Sequence, residues 1–205
     1  MIRNIIFDMG NVLIYFDREI FLDRVELHNP EDRELLKKEI YLSLEWAMMD
    51  RGTLTDEEAE KIFISRLPEH LHGTVHRLVT NWARPILPVN GMEELVRELK
   101  ANGYGIYLLS NASYHQHAYW HDIPAWECFD GTLISADERL VKPQPEIFNL
   151  LCERYSLQKE ECVFVDDTAA NAEGAVYAGM QGIVFHDDAK ELRQKLRELG
   201  INCRS

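Results

Sequence analysis

Ile5-Ile6-Phe7-Asp8-Met9-Gly10-Asn11-Val12-Leu13 opens the chain with a short apolar run that stops at an acid. Runs of similar length, rich in branched or aromatic residues, recur at Ile106–Leu109, Thr132–Ile134, Val163–Val165 and Ile183–Phe185. Unbroken apolar runs of this length are the pattern of strands buried on both faces. Helix signals separate them. Met92, Leu95, Val96 and Leu99 follow the i, i+3, i+4, i+7 rule, with Asn90 as a candidate cap and Gly103 just past the end. Phe148, Leu151, Cys152 and Tyr155 repeat the pattern after Pro145, a residue suited to a first helical turn. Ala172, Ala175, Val176 and Gly179 continue the series, as do Leu192, Leu196 and Leu199. The later chain therefore alternates strand and helix, which predicts an α/β protein with a mostly parallel sheet covered by helices.

Between Leu13 and Pro88 no strand-like run occurs. Helices are predicted near Arg18–Glu26, Arg33–Met48 and Gly73–Trp82, and Thr55-Asp56-Glu57-Glu58 is a capping box opening another through Ile62 and Phe63. An insertion of about 70 residues with its own apolar faces to bury should form a separate helical unit. The expected division is a core of residues 1–15 and 87–205 and a helical cap domain of 16–86, inserted after the first strand.

The 205 residues carry 35 Asp and Glu against 22 Lys and Arg, a formal net charge of −13. Such a field repels nucleic acid and anionic lipid unless basic residues cluster, and Lys37-Lys38 is the longest basic run. Hydrophobic residues at 46% and charged residues at 28% indicate a packed globular chain and exclude a disordered one. No stretch approaches the length of a membrane span, and the N-terminus lacks a signal-peptide pattern. Cys128, Cys152, Cys162 and Cys203 form no CxxC pair and are expected as free thiols, so a reducing cytoplasm is the expected compartment.

Ligands of open parallel sheets bind beyond the carboxyl ends of the strands. The polar residues there are Asp8, Ser110-Asn111 and Asp166-Asp167, and Lys142 arrives in Val141-Lys142-Pro143-Gln144-Pro145 at the entry to a helix. In order and context these segments resemble the four motifs of the haloacid dehalogenase superfamily. Phe7–Leu13 resembles the first motif, Leu108–Asn111 the second, Lys142–Phe148 the third and Phe164–Thr168 the fourth. The resemblance extends along nearly the whole chain. It is to the phosphatase branch, and within it to sugar-phosphate phosphatase-like members whose first motif reads Asp-x-Gly-Asn-Val. It implies a Rossmann-like parallel sheet core with a helical cap domain, and hydrolysis of a small phosphorylated metabolite.

The chemistry implied by that resemblance needs these residue types together. The Asp8 carboxylate would take the phosphoryl group as an aspartyl-phosphate, which water then hydrolyses. Asp8, the backbone carbonyl of Gly10, Asp166 and Asp167 would supply the hard oxygen ligands that Mg²⁺ prefers. Ser110 and the Asn111 backbone would bind phosphate oxygens, and Lys142 would compensate the charge of phosphate and nucleophile. One position departs from the pattern. Family phosphatases carry a second aspartate two residues after the nucleophile as general acid and base, and here that residue is Gly10. Asp17 is the nearest replacement in sequence, with helix capping before Arg18 as its other reading. Substrates with good leaving groups would suffer least from the missing acid.

Three weaker signals remain. His70, His72 and His76, and His115, His117 and His121, contain i, i+4 pairs, but no standard zinc spacing is completed, so exposed helix faces account for them. His115 and His117 could face the pocket. Trp46, Trp82, Trp120 and Trp126 fit either core or a substrate wall. Asp50-Arg51-Gly52-Thr53 has the Gly of a tight turn and the position of a substrate-selecting cap loop. A metal-independent 2-haloacid dehalogenase and a catalytically impaired phospho-ligand-binding domain are the competing functions. The acidic pair Asp166-Asp167 argues against the first, and Gly10 favours the second.

Overall fold

A computed structural model of the protein describes residues 1–204. Five strands, β1 (Asn4–Phe7), β2 (Gly105–Ser110), β3 (Gly131–Ile134), β4 (Cys162–Asp166) and β5 (Gln181–Val184), form one parallel sheet in the order β3-β2-β1-β4-β5. The central register sets Phe7 beside Leu108 on one side and Val165 on the other. The strand ends that carry Asp8, Ser110 and Asp166 therefore lie along one edge.

Alternation explains why the strands read as unbroken apolar runs. Ile5, Phe7, Ile106, Leu108, Val163 and Val165 face α6 (Met92–Ala101) and α11 (Ala189–Glu198), sharing one cluster with Leu95, Val96, Leu99, Leu192 and Leu196. Ile6, Leu109 and Phe164 point the opposite way, into a second cluster with Ile147, Phe148 and Leu151 of α9 (Pro145–Tyr155) and Ala175 of α10 (Ala169–Tyr177). The three central strands β1, β2 and β4 are thus covered on both sides, as their unbroken apolar runs require.

The segment after β1 contributes helices α1 (Arg18–Arg24), α2 (Pro30–Leu36), α3 (Leu44–Asp50), α4 (Asp56–Arg66) and α5 (His72–Thr80). This helical layer gathers an apolar cluster of its own, with Phe21, Leu22, Leu36, Ile40, Phe63, Leu71 and Val75 at its centre. Two short helices, α7 (Gln116–Tyr119) and α8 (Ser135–Glu138), follow β2 and β3. No helix among the described residues is long and apolar enough to cross a membrane.

Two expectations are corrected. The helix predicted over Arg33–Met48 is broken: α2 passes into a π-helical turn at Lys37–Tyr41, and Ser43 then caps α3 through a hydrogen bond from Trp46 N at 3.1 Å. A serine whose hydroxyl can satisfy a first-turn amide favours a new start over continuation. Asn90 does not cap α6; Gly91 does, at φ 79, and no side chain bonds the first turn. The Thr55 capping box forms as read, with Glu58 N to Thr55 Oγ1 at 3.2 Å and Thr55 N to Glu58 Oε2 at 3.0 Å. Pro145 takes the first turn of α9.

Candidate active site

Three strand ends and one loop converge on a single cavity. Asp8 follows β1, Ser110 ends β2 and Asp166 ends β4, while Lys142 enters from the loop before α9. Asp8, Gly10, Ser110, Asn111, Lys142 and Asp167 all line the cavity, and Asp166 lies behind them, wholly buried. The strand-end residues, Lys142 and the acidic pair singled out in the sequence thus come together in one place.

Lys142 is the hub. Its Nζ lies 2.7 Å from Asp8 Oδ1 and donates to Asp166 Oδ2 at 2.7 Å and to the Leu109 carbonyl at 3.0 Å. The three ammonium protons thus have three acceptors, the condition on which a buried ammonium stays charged. Burial opposes the Lys142 charge, but Asp8 and Asp166 outweigh it and raise the ammonium above its ordinary range. For Asp8 burial wins. It pushes the carboxyl up to about 7, with Lys142 opposing and Asp166 adding to the rise.

The loop that carries Lys142 is held from two directions. Asn111 clamps it reciprocally, accepting from Lys142 N at 2.8 Å and donating to Lys142 O at 3.1 Å. Behind it, α10 approaches so closely that a Cβ on Gly174 would lie 2.7 Å from the Pro143 carbonyl. Only glycine leaves room there.

Oxygen atoms of Asp8, Asp166 and Asp167 lie within 4.8 Å of one another. Converging carboxylate oxygens match the hard donor set that Mg²⁺ takes. Asp166 is already engaged by Thr168 N at 2.8 Å, by Lys142, and by Asn171 Nδ2 at 3.0 and 3.1 Å on its two oxygens. Asp167 is freer, accepting from Asn11 Nδ2 at 3.1 Å and from the Thr168 hydroxyl at 3.4 Å. The Ser110 hydroxyl has no hydrogen-bond partner among the described residues although the residue is buried at the cavity wall.

The far wall comes from the helical layer and was only partly legible in the sequence. From this layer Phe16, Tyr41, Trp46 and Trp82 line the cavity, joined by Tyr119 of α7. Ring centroids are 5.0 Å apart for Phe16 and Trp82, 4.9 Å for Tyr41 and Trp46, and 5.4 Å for Trp82 and Tyr119. Arg18 and Asp50 add a cation and an acid to this wall. The cavity measures about 340 Å³. Of the four tryptophans, Trp46 and Trp82 face it, Trp120 packs on the core and Trp126 is exposed.

The remaining candidates lie elsewhere. Asp17 accepts from Glu19 N at 2.8 Å as the cap of α1 and borders a neighbouring groove with Tyr15 and Asp187, not the cavity. His117 pairs with exposed Asp137 at 3.0 Å, and His115 packs on Tyr119 with neither lining the cavity. His70 and His76 pair singly with Asp32 and Glu60, so neither histidine group assembles a metal site among the described residues.

Acid-tipped parallel strands around a buried lysine define a hydrolase of the haloacid dehalogenase-like class. The chain belongs to that family: the haloacid dehalogenase-like hydrolase model matches residues 2–179. Among its relatives, a sesquiterpene phosphatase of Aspergillus oryzae is 29% identical over 200 residues, covering 92% of this chain and 94% of that protein. A chloroplast flavin mononucleotide hydrolase of Arabidopsis thaliana is 25% identical over 158 residues, which cover 77% of this chain and 62% of that protein. In fold the chain is similar to a HAD family enzyme of Bacteroides thetaiotaomicron crystallised with magnesium, with a TM-score of 0.71 at 20% identity, covering 94% and 98% of the two chains.

Proposed function

We propose that the protein is a Mg²⁺-dependent phosphatase of small phosphorylated metabolites, working through an aspartyl-phosphate on Asp8. The observation that carries this reading is the convergence of Asp8, Asp166 and Asp167 oxygens within 4.8 Å beside a fully paired, buried Lys142. A dehalogenase attack on carbon has no use for that acidic cluster, so the cluster favours phosphoryl transfer. Asp8, the Gly10 carbonyl, Asp166 and Asp167 would hold Mg²⁺, whose charge favours the ionised nucleophile against its burial. Ser110 and the Asn111 backbone would take phosphate oxygens, and Lys142 would neutralise charge on both reactants. The relatives named as a sesquiterpene phosphatase and a flavin mononucleotide hydrolase support hydrolysis of a phosphate ester.

Residues 16–86 would serve as a cap over a core of 1–15 and 87–205, closing the cavity with aromatic side chains. Sugar phosphates remain in the substrate set, but five aromatic rings against one unpaired cation, Arg18, favour an ester whose alcohol is apolar or planar. The unpaired cysteines suit a reducing cytoplasm. The test is release of inorganic phosphate from a panel of sugar, nucleotide, aryl and isoprenyl monophosphates with and without Mg²⁺. Undiminished turnover in excess chelator would sink the metal assignment, and no turnover of any ester would return the site to ligand binding.

A further inference from the structure

We propose that Asp50, delivered from the end of α3, is the catalytic proton donor that Gly10 does not provide. The inference rests on the phosphatase reading above.

Three carboxylates line the cavity: Asp8, Asp50 and Asp167. Asp8 faces Lys142 and Asp167 is bound by Asn11, but the Asp50 carboxylate has no hydrogen-bond or ion-pair partner among the described residues. It lines the cavity together with Tyr41, Trp46 and Trp82 of the helical layer, across the same space as Asp8, Ser110 and Lys142. Asp17 is committed elsewhere, to the amide of Glu19.

The placement of Asp50 is built. Its backbone carbonyl accepts from the Ser135 hydroxyl, and Ser135 Oγ also accepts from Ala112 N at 2.9 Å, in the loop just beyond Ser110. Two residues on, Gly52 at φ 71 lies so close to α8 that a Cβ would stand 2.0 Å from the Ala136 carbonyl. Asp56, opening α4, accepts from the Ser113 hydroxyl at 2.9 Å. Three contacts thus fasten the 50–56 segment to the loops that frame the phosphate pocket. Burial, with Asp56 and Asp8 adding and Lys142 opposing, pushes the Asp50 carboxyl up to about 8, so the group carries a proton at neutral pH.

In the first step an Asp8 oxygen bonds to phosphorus as the ester P–O bond breaks. The electron pair of that bond goes to the alcohol oxygen, which takes the Asp50 proton and leaves as neutral alcohol. Asp50, now a carboxylate, then accepts a proton from the water that attacks the phosphorus of aspartyl-phosphate. The Asp8–phosphorus bond breaks, its pair returns to the Asp8 carboxylate, and inorganic phosphate is released.

The test compares Asp50→Asn with wild type in single-turnover phosphorylation of Asp8, using benzyl phosphate and p-nitrophenyl phosphate with Mg²⁺. Loss of a positioned proton donor should slow phosphorylation by benzyl phosphate about 10²–10⁴-fold and leave p-nitrophenyl phosphate, whose leaving group needs no proton, little changed. Retained stabilisation by beryllium fluoride and Mg²⁺ shows that the variant's site is folded. Gly10 has room for a rescue: its φ is not positive, and a Cβ there would rest 3.6 Å from Phe16 Cβ, an ordinary contact. Gly10→Asp added to Asp50→Asn should recover benzyl phosphate selectively. Equal loss for both esters, or no loss for either, overturns the proposal. Absence of phosphoenzyme in the wild type overturns the phosphatase reading itself and takes this proposal with it.

Discussion

The Lys142 ammonium stands 2.7 Å from Asp8 Oδ1, with only 1% of its own side chain and 12% of its partner's exposed. The same Nζ lies 2.7 Å from wholly buried Asp166, so one cation serves two carboxylates that would otherwise repel across the sheet edge. On the proposed phosphatase reading, a second cation would have to join them before a phosphate dianion approaches.

Removal of Lys142 should therefore be costly. Lys142→Met leaves Asp8 and Asp166 without their shared counter-charge, and breaking a buried pair by deleting one partner costs about 3–5 kcal/mol. Mg²⁺ should recover part of that loss in the variant, since it supplies positive charge to the same oxygens. Thermal melts across a Mg²⁺ titration check this; a smaller metal-induced shift in the variant than in wild type would contradict it.

Asp167→Asn exchanges a charged oxygen donor for a neutral one at the carboxylate of the cluster that Lys142 does not hold. Mg²⁺ affinity, read by calorimetry, should fall at least about tenfold, the scale of 1.4 kcal/mol. Asp8→Asn should abolish turnover and keep the melting temperature at neutral pH, because the amide is nearly isosteric and cannot attack phosphorus.

Asn111 acts on the lysine through its backbone. Asn111→Ala deletes both arms of the clamp on Lys142 N and O, which should cost roughly 1–3 kcal/mol. The rate should fall because Nζ is no longer fixed. Asn111→Asp keeps only the acceptor, so it should retain more activity than Asn111→Ala at equal Mg²⁺; the reverse order of rates would remove the clamp from the account.

Asp50 gives stability a definite pH dependence. Its ordinary value is 3.8 and its folded value about 8, so between those limits the folded protein holds a proton that the unfolded chain has released. This contribution is fully present below about pH 4 and is lost as pH rises through about 8. Asp50→Asn cannot lose it. The variant should match wild type near pH 4 and exceed it at pH 8 by about 5 kcal/mol, the roughly four-unit difference taken at about 1.4 kcal/mol per unit, or on the order of 10–20 °C for a chain of this size. Asp8, Asp56, Lys142, Tyr119 and Arg18 face the same carboxyl and are common to both proteins, so the difference between their melts isolates Asp50. An equal offset at every pH would deny the elevated carboxyl.

Much of this was readable because buried parallel strands leave a plain trace: an apolar run, then the residue the run exists to present. Asp8, Ser110 and Asp166 each sit at such a break, and Lys142 at the proline-flanked entry to α9. Asp50 leaves no comparable trace, since it ends an ordinary surface-like helix and gains its surroundings only when α3 folds over the sheet edge. The glycine two residues later marked the loop but not the acid. The aromatic wall was ambiguous for a related reason: Phe16, Tyr41, Trp46 and Trp82 belong at once to the apolar cluster of the helical layer and to the cavity, and composition cannot separate those roles. The break in Arg33–Met48 escaped because its residues suit a helix throughout, and only the Ser43 cap restarts it.

The contact between Gly52 and the Ala136 carbonyl leaves no slack for a methyl group. Any side chain at position 52 would have to push α8 aside, and α8 begins with the Ser135 whose hydroxyl holds the Asp50 carbonyl. The glycine thus ties the position of an acid two residues earlier to the end of β3 without touching the acid itself.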